Sequence, residues 1–345
     1  MRRTLLAVLA LCLSGCADVS YLGQSLGGHL RLMNAARPVD EWLADEATSP
    51  ALRARLQLSQ RMRDFAVAEL HLPDNRSYRS YADLHRSAVV WNVVAAPELS
   101  LSPKTWCFPI MGCVSYRGYF DQAAAQQLSD QLKAAGWEVM VYPVPAYSTL
   151  GWTADPLLNT FIGYPEGTLA GMIFHELAHQ VAYAADDTSF NESFATAVQE
   201  IGTDAWLNSH GSERSREAYR VDQLRRAQFG ALTRDCQTRL TALYASGLSD
   251  AEKRAAKAKL MDDLRADYAR LKADSWQGYA GYDSWFTQAN NASLAILASY
   301  SDGVPGFKRL FEREGRDWPR FYAEVKRLAA LPKAQRHAEL TSEIR

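Results

Sequence analysis

The sequence has no surplus of charge of either sign: 38 Lys and Arg face 39 Asp and Glu, a formal net charge of −1 over 345 residues. Nucleic-acid binding draws on a basic patch or stripe, and none is present. The arginine-rich stretch from Ser212 to Arg226 is interleaved with Glu217 and Asp222, the pattern of a solvated helix. Any low-complexity linker is also missing, which argues against two independent units. With 48% of its residues hydrophobic, the chain can bury one large core. Cysteine is scarce, five residues in all, too few around any one point for a cysteine-ligated metal.

The apolar run from Thr4 to Leu13 is too short to cross a bilayer as a mature helix, and it follows the basic start Met1-Arg-Arg. Leu13-Ser-Gly-Cys16 after it matches a bacterial lipobox. Residues 1–15 thus read as a lipoprotein signal peptide, with Cys16 the acylated first residue of a single domain over 16–345. Ala17 stands where an inner-membrane retention aspartate would be, so an outer-membrane anchor facing the periplasm is expected. In that oxidising compartment Cys107 and Cys113, which bracket a small Pro/Gly loop, are expected to form a disulfide, and Cys236 to pack between helices.

The most informative residues are His175-Glu-Leu-Ala-His179, inside a proline-free run from Gly167 to Tyr183 with helical spacing. Residues i and i+4 share one helix face, so two imidazoles can converge on one metal ion while Glu176 reaches a water bound to it. Leu169, Met172, Ile173 and Phe174 before the motif and Val181 and Ala182 after it are apolar, as in a core helix. Burying two histidines and a glutamate there is costly unless a cation pairs them. A catalytic zinc ion needs a third protein ligand. Glu192, in Asn191-Glu-Ser-Phe-Ala195, is the leading candidate, with Asp186, Asp187 and Asp204 as alternatives; Ser189-x-x-Glu192 also reads as a capping box. A metzincin is excluded by Ala182 and Ala185, where glycine and histidine would be needed. Thr196 and Glu200, further along the same face as Glu192, could accept the second ring N–H of a liganding histidine.

The pair HELAHQ and NESFA resembles the gluzincin metallopeptidases, among them thermolysin and the zinc aminopeptidases related to leukotriene hydrolase. In these, a second helix carries an Asn-Glu pair whose glutamate completes a His-His-Glu zinc site. The resemblance implies one zinc ion held by His175, His179 and Glu192, with Glu176 as general base. Most of the mature chain, including Ala146-Tyr-Ser-Thr-Leu-Gly-Trp-Thr-Ala-Asp-Pro-Leu-Leu158 and Asn290-Asn-Ala-Ser-Leu294, is similar to a family of bacterial lipoproteins labelled aminopeptidases. The Gly-x-Met-x-Asn segment with which the large aminopeptidases hold a substrate's amine is absent, so "aminopeptidase" rests on the family label. An oxyanion donor in relatives is often a tyrosine. Here Tyr147, Tyr279, Tyr282 and Tyr300 are available, and Tyr147 and Tyr282 are taken as the candidates.

The expected fold is α+β and mainly α-helical: a zincin-like core with a small mixed sheet before the zinc helix and a helical C-terminal half. N-terminal helices and sheet occupy about 20–160, the zinc-site helices 161–205, and further helices 206–345. Val89–Val94, Val114–Tyr119 and Glu138–Tyr142 read as strands, and Asp121–Ala135 as a helix. Tyr142–Trp152 is expected to run along the cleft as a strand-adding edge. Ser249-x-x-Glu252 opens a long charged helix, with an antiparallel partner over Thr233–Ser246. Tyr279–Phe286 and Asn290-Asn291 are expected near the cleft.

Two functions fit: a lipid-anchored periplasmic zinc peptidase acting on peptides or proteins, or a non-catalytic envelope lipoprotein using the same fold as an assembly module. Glu176 favours the first, since a structural metal has no use for an unliganded carboxylate beside it. In either case Cys16→Ala should abolish acylation and release the chain from membranes, and globomycin should block its processing. Unchanged membrane fractionation of the mutant would overturn the anchor.

Overall fold

A computed structural model describes residues 21–108, 112–146, 148–297 and 303–342; the expected signal peptide over 1–15 and Cys16 lie outside them. Helix α1 is described over 21–35. It leads through strand β1 (Arg37–Pro38) into α2 (Val39–Ala44) and α3 (Pro50–Ala68), so the helical N-terminal region breaks at the two prolines, as their missing N–H groups require. Ser49 caps α3 by accepting from the Leu52 amide, with Pro50 in the first turn.

The β region follows: β2 (Ser80–Ala82), β3 (Val90–Pro97), β4 (Trp106–Phe108), β5 (Gly112–Val114) and β6 (Arg117–Tyr119), then α4 (Gln122–Ala134), β7 (Trp137–Val144) and β8 (Leu157–Leu158). One small mixed sheet was expected, but three separate units form. β3 lies between β6 and β7 in a purely antiparallel sheet, β2 lies between antiparallel β1 and parallel β8, and β4 and β5 form a hairpin. β3 is buried along nearly its whole length, which explains its continuous apolar sequence: a strand covered on both faces need not alternate. α4 covers one face through Ala125 and Leu132 against Val93 and Val139. The other face packs Val94 and Met140 against Ala292 and Ile296.

These last residues belong to α10 (Asn291–Leu297), reached through α5 (Glu166–Ala178), α6 (Thr188–His210), α7 (Glu213–Ala245), α8 (Asp250–Asp274) and α9 (Asp283–Gln288); α11 (Val304–Arg313), α12 (Trp318–Ala329) and α13 (Lys333–Ser342) follow. α8 opens with the expected capping box, Ser249 and Glu252 exchanging both bonds. Its partner α7 is 33 residues long, because the charged stretch after Ser212 continues the same helix. Asn290 and Asn291 do not reach a cleft. Asn290 donates to the Val139 carbonyl, and Asn291 donates to the Pro97 and Glu98 carbonyls while Glu138 accepts from its amide, so the pair pins α10 to β3 and β7. Tyr282, Trp285 and Phe286 of the Tyr279–Phe286 stretch likewise pack into the apolar cluster between α7 and α8, while Tyr279 is exposed.

The main core joins α3, α5, α6, α11 and α12 through Leu56, Phe65, Phe174, Phe194, Phe307 and Phe321. α5 and α6 approach closely because glycines face the partner helix. A Cβ on Gly171 would stand 3.0 Å from the Gln199 side chain, and one on Gly202 2.7 Å from Leu70 and 3.0 Å from Phe174. The loop between these helices is clamped by Asn191, whose buried side chain accepts from the Ala184 amide and donates to the Ala184 carbonyl, each at 2.8 Å. Asp187 caps α6, accepting from the Phe190 amide, and meets Arg336 and His337 of α13.

Asp187 is 1% exposed and Arg336 5%. Burial works against the Asp187 charge, but the hydrogen bonds and charges of His337 and Arg336 outweigh it and hold the carboxyl below its usual value. Its stabilisation is therefore complete above about pH 4, the ordinary aspartate value, and fades as pH falls through the depressed folded value. Asp187→Ala leaves Arg336 buried without its anion and should cost about 3–5 kcal/mol in denaturant unfolding at neutral pH, with the gap to wild type narrowing in acid. A change within ±0.5 kcal/mol, the usual range for surface sites, would contradict this.

Candidate metal centre

His175 lies in the last turn of α5 and His179 is its C-cap residue, whose amide still donates to the His175 carbonyl at 3.3 Å. The imidazoles thus sit one turn apart at the point where the helix stops. Gln180, just beyond, is held by Asn75 at 2.6 Å and Ser77 at 3.2 Å, fixing the chain's exit. α6 begins at Thr188 under the Asp187 cap, so Ser189 already lies inside the helix. Glu192 is therefore one turn inside the helix, Ser189 is not the cap, and the capping-box alternative fails.

His175 Nε2 lies 3.2 Å from His179 Nε2 and 3.4 Å from Glu192 Oε2, and His179 Nε2 lies 3.8 Å from Glu192 Oε1. Among the described residues this is the one group of His, Cys, Asp and Glu side chains that could hold a metal ion. Tetrahedral zinc with bonds near 2.1 Å sets its ligand atoms about 3.4 Å apart, so the donors present fit in both type and spacing. Side-chain exposures of 9% for His179, 16% for His175 and 20% for Glu192 leave one open side, as a catalytic site needs. Burial pushes the His179 pKa down to about 4, keeping it a neutral donor. Burial also opposes charge on His175, but its hydrogen bond to Glu192 and the carboxylates of Glu192 and Glu176 raise its pKa. Glu192 is lowered, the two imidazoles overcoming its burial.

The second ring nitrogen of His175 meets neither Thr196 nor Glu200. Its Nδ1 lies 3.1 Å from Gln199 Oε1, and a proton there leaves the Nε2 lone pair facing Glu192 and His179. Gln199 is seven residues after Glu192, a spacing that shares its face as well as four or eight does. Glu200 instead pairs with Lys308. With Asp204 and Tyr219 it lines a separate cleft of about 570 Å³ between α6, α7 and α11. Asp204 is thus not a ligand, and neither is Asp187, which caps α6. Asp186 accepts from the Cys113 amide at 2.8 Å. His179 Nδ1 is buried with no hydrogen-bond partner.

Glu176 accepts from the Ser148 hydroxyl. Burial, reinforced by the charges of Glu192 and Asp155 and opposed by His175 and Ser148, pushes its pKa up to about 7. Tyr78 stands on the same side: it is 1% exposed, its hydroxyl has no hydrogen-bond partner, and burial, then the Glu176 and Asp155 charges, raise its pKa. Tyr116 is partly exposed, with the charge of Glu192 acting on its hydroxyl. Neither tyrosine carries a sequence signal, because each arrives from a loop far upstream of the motif. Tyr78 sits there at φ 62°, its amide donating to the Asp155 carbonyl.

Tyr282 is not brought to the histidines; its ring stacks on Phe229 at 4.6 Å in the α7–α8 cluster. Tyr147 lies outside the described residues. The expected edge strand ends at Val144, and beyond it the chain turns through Thr149–Trp152. Cys107 and Cys113 are disulfide-bonded across the β4–β5 hairpin, and Cys236 is free and buried, its thiol pushed up to about 11 by burial.

A helix-borne His-Glu-x-x-His facing a glutamate on the next helix marks a candidate metal-binding enzyme site. The profile of a family described as "Putative aminopeptidase" matches residues 20–340, and the chain belongs to that family. No curated protein and no solved structure matches it.

If Gln199 sets the His175 tautomer, Gln199→Leu should weaken metal binding about 10- to 100-fold, whereas Glu192→Ala should lose the metal and Asp204→Ala should keep it. Competition with a chromophoric chelator measures all three. Release by Asp204→Ala with retention in Glu192→Ala would refute the ligand set.

Proposed function

We propose that the protein is a zinc peptidase of the gluzincin kind, anchored by a lipid on Cys16 to the bacterial envelope and facing the periplasm. The observation that carries this is Glu176, a carboxylate adjoining three convergent ligand atoms yet not one of them. Zinc held by His175, His179 and Glu192 would supply Lewis acidity, activating water near neutral pH and polarising a peptide carbonyl.

Glu176 takes the proton of the attacking water and passes it to the leaving amine. A carboxylate that is not itself one of the convergent ligand groups is free to make both transfers. Ser148 holds that carboxyl in place, and Gln199 holds His175. Tyr116, on whose buried hydroxyl the Glu192 charge acts, is the phenol assigned here to donate to the oxyanion. The aminopeptidase label comes with the family, and hydrolysis of a peptide bond is the part of it that these residues support.

Glu176→Gln should keep its zinc and its thermal stability while losing at least ~10²-fold in cleavage rate, measured by mass spectrometry of products from a mixed peptide library. A zinc-loaded wild type that cleaves nothing the mutant spares would favour the assembly-module reading instead.

A further inference from the structure

Large apolar side chains left in water usually mark a contact surface when they cluster. Among the described residues Trp152 is the most exposed of these, at 78%, and Tyr183 is exposed at 40%. Both lie in segments next to the metal centre in the chain or packed on it. Trp152 is four residues after Ser148, whose hydroxyl holds Glu176; Tyr183 is four residues after His179, close enough to Glu192 for that charge to act on its hydroxyl.

The loop carrying Trp152 is built to hold it. The Trp152 amide donates to the Thr149 carbonyl at 3.1 Å across a turn whose central residues, Leu150 and Gly151, have φ of 56° and 82°. Two positive φ values in succession match a type I′ turn, and a leucine there is strained. Such strain persists only where surrounding structure enforces it. Asp155, with no exposed surface, does so: its carboxylate accepts from the Thr149 amide at 2.9 Å, the Thr149 hydroxyl at 2.8 Å and the Thr153 hydroxyl at 3.2 Å. Gly151 rests on Gln180, the residue after His179, a Cβ there being 3.4 Å from its side chain. The tryptophan is therefore preset in position relative to the liganding histidine, although the fold gains nothing from its ring.

We propose that Trp152, whose loop rests on the residue after His179, and Tyr183, within reach of the Glu192 charge, form an aromatic rim that receives a bulky apolar side chain, aromatic above all, on a substrate residue adjoining the scissile bond. The proposal rests on the peptidase reading and names its substrate class. A rigid aromatic surface contributes large buried area at little cost in lost rotamer freedom, and aromatic pairs add stacking to it.

Matched peptides carrying phenylalanine or alanine next to the cleaved bond test it on the full zinc-loaded chain. The wild type should prefer phenylalanine in kcat/KM. Trp152→Ala should shrink that preference at least ~10-fold, the scale of one hydrophobic contact in a specificity pocket, while Trp152→Phe keeps most of it. An unchanged preference in a Trp152→Ala protein of unchanged Tm overturns the rim and leaves the peptidase intact. Calorimetric binding of the same peptides to Glu176→Gln, with and without Trp152→Ala, separates the two claims. If no peptide is cleaved, the peptidase reading fails, and the rim stands only if phenylalanine peptides bind Glu176→Gln more tightly than alanine ones and lose that advantage with Trp152→Ala. Equal binding of both, or none, overturns it.

Discussion

The close approach of α5 to α6 is the constraint on which the site depends. His175 and His179 come from one helix, Glu192 and Gln199 from the other, and their contacts exist only because no side chain separates the backbones at Gly171 and Gly202. A methyl group on Gly171 would meet the Gln199 side chain itself. The packing that buries Phe174 and Phe194 in the core is thus the same packing that sets the distances between ligand atoms. Core rigidity and site precision are supplied together.

Around that pair the protein distributes charge by asymmetry. One imidazole is raised and the other lowered, while the bridging carboxylate is held ionised between them. Glu176, one residue from His175, goes the opposite way because its surroundings are buried and already contain Glu192 and Asp155. The Glu176 and Glu192 carboxyls therefore have different protonation preferences, the arrangement from which acid–base roles are recognised.

The sequence made the motif-bearing parts of this arrangement readable because local rules produce them. Helical spacing put His175 and His179 on one face, the capping box at Ser249 opened α8, and Val89–Val94 read as the strand that runs on to Pro97. Where contacts come from distant segments, the reading ran out. Tyr282 looked as available as any tyrosine, yet an aromatic cluster between α7 and α8 claims it. Asn290 and Asn291, polar and paired, suggested a cleft but satisfy the sheet backbone. Tyr78, Tyr116 and Gln199 went unnoticed because the first two approach from loops and the third required knowing which face of α6 meets His175. The start of α6 is also set by a distant contact. Ser189 offered a local cap, but Asp187 is fixed as the cap by Arg336 from the far end of the described chain.

That last contact sets an order of assembly. Asp187 and Arg336 are 149 residues apart in sequence, so the residue that secures the first turn of the glutamate-bearing helix leaves the ribosome long after the helix itself. Contacts of such separation are slow to form, since a large loop must close before they stabilise anything. Until α13 docks, Asp187 lacks the Arg336 and His337 contacts that secure it as the cap of α6. The final setting of the glutamate-bearing helix against the histidine-bearing one is then a late event in folding, completed when the most distant segments have met.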